Sequence, residues 1–364
     1  MERIERIGNI CEVLNGYAFK SDEYVAKGIR VMRITNVQKG KVVDDEPKYF
    51  PIERNDEISK HLLREGDLLM SLTGNVGRVG ILPSEMLPAA LNQRVACLRK
   101  KSEDLSMKYL FYILNSDIFE SDCIFNASGI AQKNMSTRWL EEYTIPLPSL
   151  QEQERIVAEL DLLTEIIDKQ KQQLKEFDNL AQSIFYDMFG NPNINDMKWE
   201  YSTFKSIFKL KSGDGLIGKN FMQGNYPVYG GNGISGYHNK YNKDGDYIIV
   251  GRVGAYCGNV RYVKGQFWLT DNAFQALFDN TVLDYVFVCY LLNAINLHQY
   301  ANQAAQPVIS NVVLKDIQII MPPKAIQREF AKKIQSIESQ KQSINRSIAE
   351  SQKLFDYTMD KYFG

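Results

Sequence analysis

PSLQEQERIVAELDLLTEIIDKQKQQLKEFDNLAQSIFYDMFG (residues 148–190) carries apolar side chains at Ile156, Leu160, Leu163, Ile167, Leu174, Phe177, Ala181, Ile184 and Met188, in alternating steps of four and three, with Gln170 in the one polar slot. That is a heptad seam, and it predicts one long amphipathic helix whose apolar stripe is narrow. A helix of roughly 39 residues is about 58 Å long at 1.5 Å per residue, longer than a small domain is wide. A shift of 174 residues reaches a second copy, in which Phe330, Ile334, Ile337, Lys341, Ile344, Ile348, Ser351, Phe355, Thr358 and Tyr362 occupy the same slots. The same offset pairs Pro148 with Pro322, Gln153 with Gln327, Glu176 with Glu350, Leu180 with Leu354, and Phe189-Gly190 with Phe363-Gly364.

A narrow seam needs a partner, and the second copy supplies one. Residues 148–190 hold four basic and nine acidic side chains, whereas residues 322–364 hold eight and five. Opposite net charges favour pairing of the copies with each other over self-pairing. Exposed pairs contribute only about 0 to 1 kcal/mol each, so charge sets partner choice more than stability. The expected arrangement is an antiparallel pair forming a rod with a globular unit near each end, its register fixed by Gln170, Lys341 and Ser351.

The composition, 44% hydrophobic and 24% charged, is that of a globular protein, and 364 residues suffice for two ordinary domains besides the helices. Five scattered cysteines without a C-x-x-C pair point to a reducing compartment and away from a cysteine zinc site or disulfide framework. The start, MERIERIGNI, lacks the apolar run of a secretory signal, and the most apolar run, residues 285–292, is too short to span a bilayer. These features lead us to expect a cytoplasmic protein. A net charge of -1 and a pI near 6.4 do not by themselves suggest nucleic acid.

Residues 1–147 form the expected first globular unit. Strand signals run through residues 29–37, 66–80 (GDLLMSLTGNVGRVG) and 90–99 (ALNQRVACLR), and helical spacing through residues 107–122. Residues 191–321 repeat this order: GDYIIVGRVGAYCGNV parallels GDLLMSLTGNVGRV, TDNAFQALF parallels LNQRVACLR, and LDYVFVCYLLN parallels MKYLFYILN. Between these framework segments the two units differ. TNVQKGKVVDDEPKYFPIERN in the first has no likeness to YGGNGISGYHNKYNKDG in the second. Two copies of one scaffold with different exposed loops, on a rigid spacer, suit recognition of two different features at fixed separation.

The side-chain types in these loops are those used against base edges and phosphates. In the first unit the candidates are Lys20, Arg33, Asn36, Gln38, Lys39, Lys41, Arg78, Arg94, Gln132, Lys133 and Asn134. In the second they are Lys219, Asn220, Tyr229, Asn232, His238, Asn239, Lys240, Arg252, Tyr256 and Gln306. Residues 1–147 carry 20 basic and 21 acidic groups, and residues 191–321 carry 11 and 9. Neither unit is basic enough to hold DNA tightly alone, so partner subunits are expected to close around it.

Other chemistry is not written in the sequence. GGNGISG (residues 230–236) contains G-x-G-x-x-G, but YHNKYNKDG after it cannot open the helix that a dinucleotide fingerprint requires. There is no G-x-x-x-x-G-K-[ST], NPNI at Asn191 lacks the second proline and aromatic of an amino-methyltransferase motif, and His61, His238 and His298 show no metal-ligand spacing. His238 is expected in a polar loop.

Taken together, GYAFKSDEY with GIRVMRI, GDLLMS, GIAQKNMS and PLPSLQEQERIV in the first half, and YPVYGGNGISGYHN, GDYIIVGRVGAYCG, TDNAF and the closing helix in the second, resemble the specificity subunits of Type I restriction-modification systems. The resemblance covers essentially the whole chain. It implies an α+β protein of two similar mixed α/β target-recognition domains, separated by long antiparallel coiled-coil helices in an internal pseudo-twofold repeat. Domain bounds are then 1–147 and 191–321 for recognition, 148–190 and 322–364 for the spacer helices. It implies further that this chain is non-catalytic, binds no cofactor and lies in a bacterial or archaeal cytoplasm. Its partners would be double-stranded DNA, two methyltransferase subunits using S-adenosylmethionine to methylate adenine, and ATP- and Mg-dependent restriction-translocase subunits. KAIQREF stands in the second helix where the first has LQEQERI, so docking contacts there are expected to differ. The rival expectation is a two-headed protein-binding scaffold.

Overall fold

The computed structural model describes residues 3–127, 134–302 and 307–364. It divides into two compact units, Met1–Lys169 with Ile348–Gly364, and Gln170–Ser347.

In the first unit the strands are β1 (Ile4–Arg6), β2 (Cys11–Asn15), β3 (Ile29–Met32), β4 (Val37–Gln38), β5 (Lys41–Val42), β6 (Tyr49–Phe50), β7 (Leu68–Ser71), β8 (Val79–Ile81), β9 (Ala89–Leu91), β10 (Val95–Lys100) and β11 (Thr144–Pro146). They form a β1-β11 pair, a four-stranded sheet β2-β10-β7-β8, a three-stranded sheet β6-β3-β9 and a β4-β5 hairpin. The second unit holds β12 (Tyr201–Thr203), β13 (Lys209–Ser212), β14 (Tyr226–Gly230), β15 (Gly233–His238), β16 (Asp246–Gly251), β17 (Val260–Lys264), β18 (Trp268–Leu269), β19 (Ala273–Leu277) and β20 (Gln318–Ile320). Its sheets are β12-β20, β13-β19-β16-β17 and β15-β14-β18. Even the mixed pairing repeats: β3 runs parallel to β9 and antiparallel to β6, as β14 does to β18 and β15. The fold is α+β with an internal repeat.

Strand β7 is buried throughout because both faces of its sheet are covered. Leu68 and Met70 pack into the helical side of the unit, while Leu69 faces the core beneath the three-stranded sheet. In β16, Ile248 and Val250 face one core and Ile249 the other. This period of two is why short strands without polar alternation still have a defined register.

Three local expectations need correction. Residues 90–99 are not one strand: the chain leaves β9, turns at Asn92 with the Val95 N–H bonded to the Asn92 carbonyl, and enters a different sheet as β10. Extended structure in residues 29–37 stops at Met32, where a turn intervenes before β4. Residues 107–122 form two helices, Met107–Ile113 and Asp117–Asn126, because Ser116 caps the second by accepting from the Phe119 N–H at 3.3 Å.

The two long helices are α1 (Leu150–Phe189) and α2 (Lys324–Phe363), 40 residues each. In the second unit they pair antiparallel: Gln170 Nε2 donates to Ser347 Oγ at 2.7 Å, Lys341 Nζ to Asp178 Oδ1 at 2.7 Å, and the Phe185 and Phe330 rings lie 5.7 Å apart. In the first, Tyr362 Oη accepts from Arg155 and donates to Glu159. Two of the three polar seam residues, Gln170 and Lys341, thus bond to the opposite helix. Ile156, Leu160, Leu163, Ile167, Phe330, Ile334 and Ile337 are buried, whereas Leu174, Phe177, Ile344, Ile348 and Phe355 are half-buried. Ile156 and Leu160 join the core of the first unit, and Phe330, Ile334 and Ile337 that of the second. No helix among the described residues is long and apolar enough to cross a membrane.

One repeated polar residue ties each long helix to its globular part. Gln153, fully buried, accepts from the Ser106 N–H and donates to the Asp104 and Pro148 carbonyls. Gln327, equally buried, accepts from the Asp284 N–H at 2.8 Å and donates to the Val282 and Pro322 carbonyls. Gln327→Leu leaves these backbone groups without partners and is expected to destabilise the second unit by about 2–3 kcal/mol. Amide exchange at residues 282–285 should accelerate in that variant; exchange no faster than in a variant of exposed Gln340 would count against this role.

Candidate nucleic-acid interface

In each unit the loops at one end of the four-stranded sheet are stitched together by the same backbone hydrogen bonds. In the first, the Leu72 N–H donates to the Arg94 carbonyl (3.0 Å), Met135 to Leu72 (2.9 Å) and Gly77 to Ser71 (3.0 Å). In the second, Arg252 donates to Asn272 (2.9 Å), Ile309 to Arg252 (2.9 Å) and Gly258 to Gly251 (2.8 Å). Gly16 and Gly213 let the preceding strand press on this cluster: a Cβ at either would lie 2.2–2.3 Å from backbone atoms of Asn92 or Leu269. The framework is therefore held by main chain and glycine, leaving the side chains of the turns 92–94 (Asn-Gln-Arg) and 270–272 (Thr-Asp-Asn) free to differ.

The larger difference lies between β3 and β6. There the first unit inserts the β4-β5 hairpin, which docks on β8 with the Gly40 N–H bonded to the Val79 carbonyl at 2.9 Å. At the equivalent place the second unit has only the tight turn between β14 and β15.

Among the first-unit candidates, Arg78 and Gln38 are brought together, Arg78 Nη1 donating to Gln38 Oε1 at 2.7 Å, while Gln38 Nε2 donates to the Thr35 carbonyl. Lys41 and Arg94 are exposed, on the hairpin and the 92–94 turn, and exposed Asn134 bridges to Thr73. Lys20 is exposed where its N–H bonds Glu23. Arg33 is half-buried and donates to the Glu46 carbonyl at 2.8 Å. One candidate is withdrawn. Asn36 is 2% exposed, accepts from the Arg33 N–H and donates to the Val43 carbonyl, so its amide holds the turn. Lys39 remains exposed, its Nζ paired with Glu120 and Asp117, which raise its pKa, Glu120 most.

In the second unit Asn232 sits exposed at the hairpin tip, Lys219 in the turn Gly218–Asn220, Asn239 and Lys240 after β15, and Tyr256, 53% exposed, on the loop after β16. Asn220 belongs to the same turn as Lys219. Arg252 lies 5.4 Å over the Phe274 ring. Two more candidates are corrected. Tyr229 packs edge-on against Phe267 at 5.4 Å, and burial raises its phenol pKa. His238 ends β15 rather than lying in a loop; 5% exposed, it accepts from the Met222 N–H at 3.0 Å and packs against Trp268. Gln132, Lys133 and Gln306 lie outside the described residues.

The turn 270–272 was not among the candidates, although the polar triple opening TDNAF marks it. Cys257 Sγ lies 3.3 Å from His298 Nδ1, but burial raises the thiol pKa and the same nitrogen is 2.9 Å from the Cys257 carbonyl, opposite to the activation a nucleophile needs. Burial likewise pushes the Cys11 and Cys123 thiols up to about 12.

Comparison with known proteins gives a consistent picture. A family model described as Type I restriction modification DNA specificity domain matches residues 2–176 and 197–351. The Type I restriction enzyme EcoprrI specificity subunit of Escherichia coli is 26% identical over 288 residues, covering 74% of this chain and 70% of that one. Among solved structures, the Type I restriction-modification S subunit from M. genitalium superposes with a TM-score of 0.58 at 16% identity, over 100% of this chain and 96% of that one. A chain from a structural study of complex assembly in the type I R-M system gives 0.59 at 18% identity, over 99% and 97%.

Proposed function

We propose, from the premise that this chain belongs to the Type I restriction-modification DNA specificity family, that it reads a bipartite, asymmetric duplex site, one half through each unit's loop cluster. The observation that carries this reading is the contrast within the repeat. Backbone hydrogen bonds of the two clusters coincide, while the inserted hairpin and the turns 92–94 and 270–272 do not. Selection of two different sequences needs a shared geometry toward the duplex and different side chains on it.

In this reading the domain bounds 1–147 and 191–321 delimit the two readers, and α1 and α2 set the gap between half-sites. Apolar side chains remain exposed along the helices, Leu162 at 58%, Leu180 at 46% and Leu354 at 53% among them. They suit docking of methyltransferase subunits, which would bring S-adenosylmethionine and the adenine chemistry; ATP- and Mg-dependent cleavage would belong to restriction subunits. The chain itself contributes recognition. Near-neutral heads require those partners to complete the grip on phosphate, so binding by the full complex should weaken steeply with added salt.

The test is sequencing of methylated adenines in cells carrying this chain together with a cognate methyltransferase subunit, against cells without it. A split motif with a fixed gap, present only with this chain, is expected. Unchanged methylation despite an assembled complex would overturn the reading.

A further inference from the structure

The second unit contains an open cavity of about 900 Å³ between the β14-β15 hairpin tip and the turn 270–272, with Val253 beneath and Ile217 at its rim. Thr270 lines it and is 3% exposed, yet its Oγ1 has no hydrogen-bond partner. Its main chain is fixed, the N–H donating to the Tyr229 carbonyl at 2.9 Å and the carbonyl accepting from Ala273. A hydroxyl held in place and cut off from both water and protein partners is unfavourable unless something else supplies the bond. The first unit shows the contrast. Asn92, at the same place in the framework, spends its Oδ1 on the Arg94 N–H at 3.1 Å.

The opposite wall is missing a side chain. Gly230 faces Thr270, and a Cβ built there would stand 3.6 Å from Thr270 Oγ1 and 4.0 Å from Ser235 Oγ, in ordinary contact with both. Glycine is thus not required by crowding at this position, and a methyl group there would pack directly against the hydroxyl. Among the described residues no lysine or arginine lines the cavity, and Asp271 does. A phosphate is disfavoured there. A neutral planar group fits: the Thr270 hydroxyl can donate or accept, the Asn272 amide can do both, and Ile217 and Val253 offer apolar contact of the kind a thymine methyl group takes.

We propose that this cavity is the base-reading pocket of the second unit, taking the major-groove edge of an A·T pair in that unit's half-site, with Thr270 as a specificity-determining residue. The proposal rests on the DNA-reading function above and deepens it. The geometry at Gly230 makes two independent perturbations available. Thr270→Val removes the hydroxyl at nearly constant shape, and Gly230→Ala places a methyl group against it without a backbone clash.

The experiment uses the complex of the full chain with its methyltransferase subunit. Its motif is first determined by methylated-adenine sequencing, and binding is then measured on duplexes in which each motif base pair is replaced in turn, at several salt concentrations. Both variants are expected to lose discrimination at one position of one half-site, by about tenfold, with the salt dependence and the other half-site unchanged. Wild-type discrimination at every position in both variants, or a uniform loss across all sequences in both, overturns the pocket. Absence of any split motif with the unsubstituted chain overturns instead the DNA-reading function on which it rests, so the two failures are distinguishable.

Discussion

Phe330→Ala is expected to cost the second unit about 3–5 kcal/mol, the range for truncating a fully buried aromatic side chain. Phe330 is 0% exposed, and its ring lies 5.7 Å from Phe185, 5.3 Å from Phe189 and 5.1 Å from Tyr290. Those rings come from α1 and from the helix Tyr285–Ile295, so one side chain of α2 joins both long helices to the globular core of that unit. With native stabilities of about 5–15 kcal/mol, the loss is a large part of the total. Ile344, further along the same seam and half-buried, lacks the third surface, and Ile344→Ala should cost about 1 kcal/mol. Chemical denaturation, followed by amide exchange to assign each transition, checks this. Protection in the second unit should fall while that in the first is retained. Equal effects of the two substitutions would mean that the ring cluster is not the keystone of the unit.

This difference between two slots of one heptad pattern marks what the sequence could and could not disclose. The seam was legible because a period near 3.5 is a property of the chain itself, and the repeat because one offset aligned framework and helix alike. The seam's last slots before the head were misjudged. Ile184 and Met188 are only half-buried, while Ala181, Phe185 and Phe189, in strict steps of four, are buried. The helix turns a different stripe inward there because the helix Tyr285–Ile295 packs against it, and nothing local announces that third partner. The same limit explains the site. Arg94, Lys41, Lys39 and Asn232 kept the exposure expected of them, but Asn36, Tyr229 and His238 did not. Their partners Val43, Phe267 and Met222 are met only in the folded chain, and the last two at long separation. Residue type suggested DNA contact at all three. Only geometry separates a side chain that reads from one that holds the reader in shape.

Asp67→Ala should be about as damaging to the first unit as Phe330→Ala is to the second, through electrostatics rather than packing. The Asp67 side chain is 3% exposed and that of Arg99 16%, and the two meet in a bidentate pair, Nε to Oδ1 at 2.9 Å and Nη2 to Oδ2 at 2.6 Å. Asp67 also accepts from the Arg64 N–H at 2.8 Å just before β7, while Arg99 on β10 donates to the Leu62 carbonyl, so the pair clamps the two inner strands of the four-stranded sheet together. Hydrogen bonding to Asp67 is the largest cause of the raised Arg99 pKa, and a guanidinium cannot escape burial by losing its proton. Removing the carboxylate leaves that cation with little solvent and only the weaker influence of cross-strand Glu12, at a cost of about 3 kcal/mol. Replacing both partners by apolar residues, Asp67→Leu with Arg99→Met, should recover much of the loss, because the penalty comes from the orphaned charge more than from the absent pair. Denaturation midpoints of the single and double variants decide the matter. A double variant no more stable than Asp67→Ala would show that the clamp acts through its backbone bonds to Arg64 and Leu62 instead, and that this end of the sheet, opposite the 92–94 turn, is held by hydrogen bonding rather than by charge.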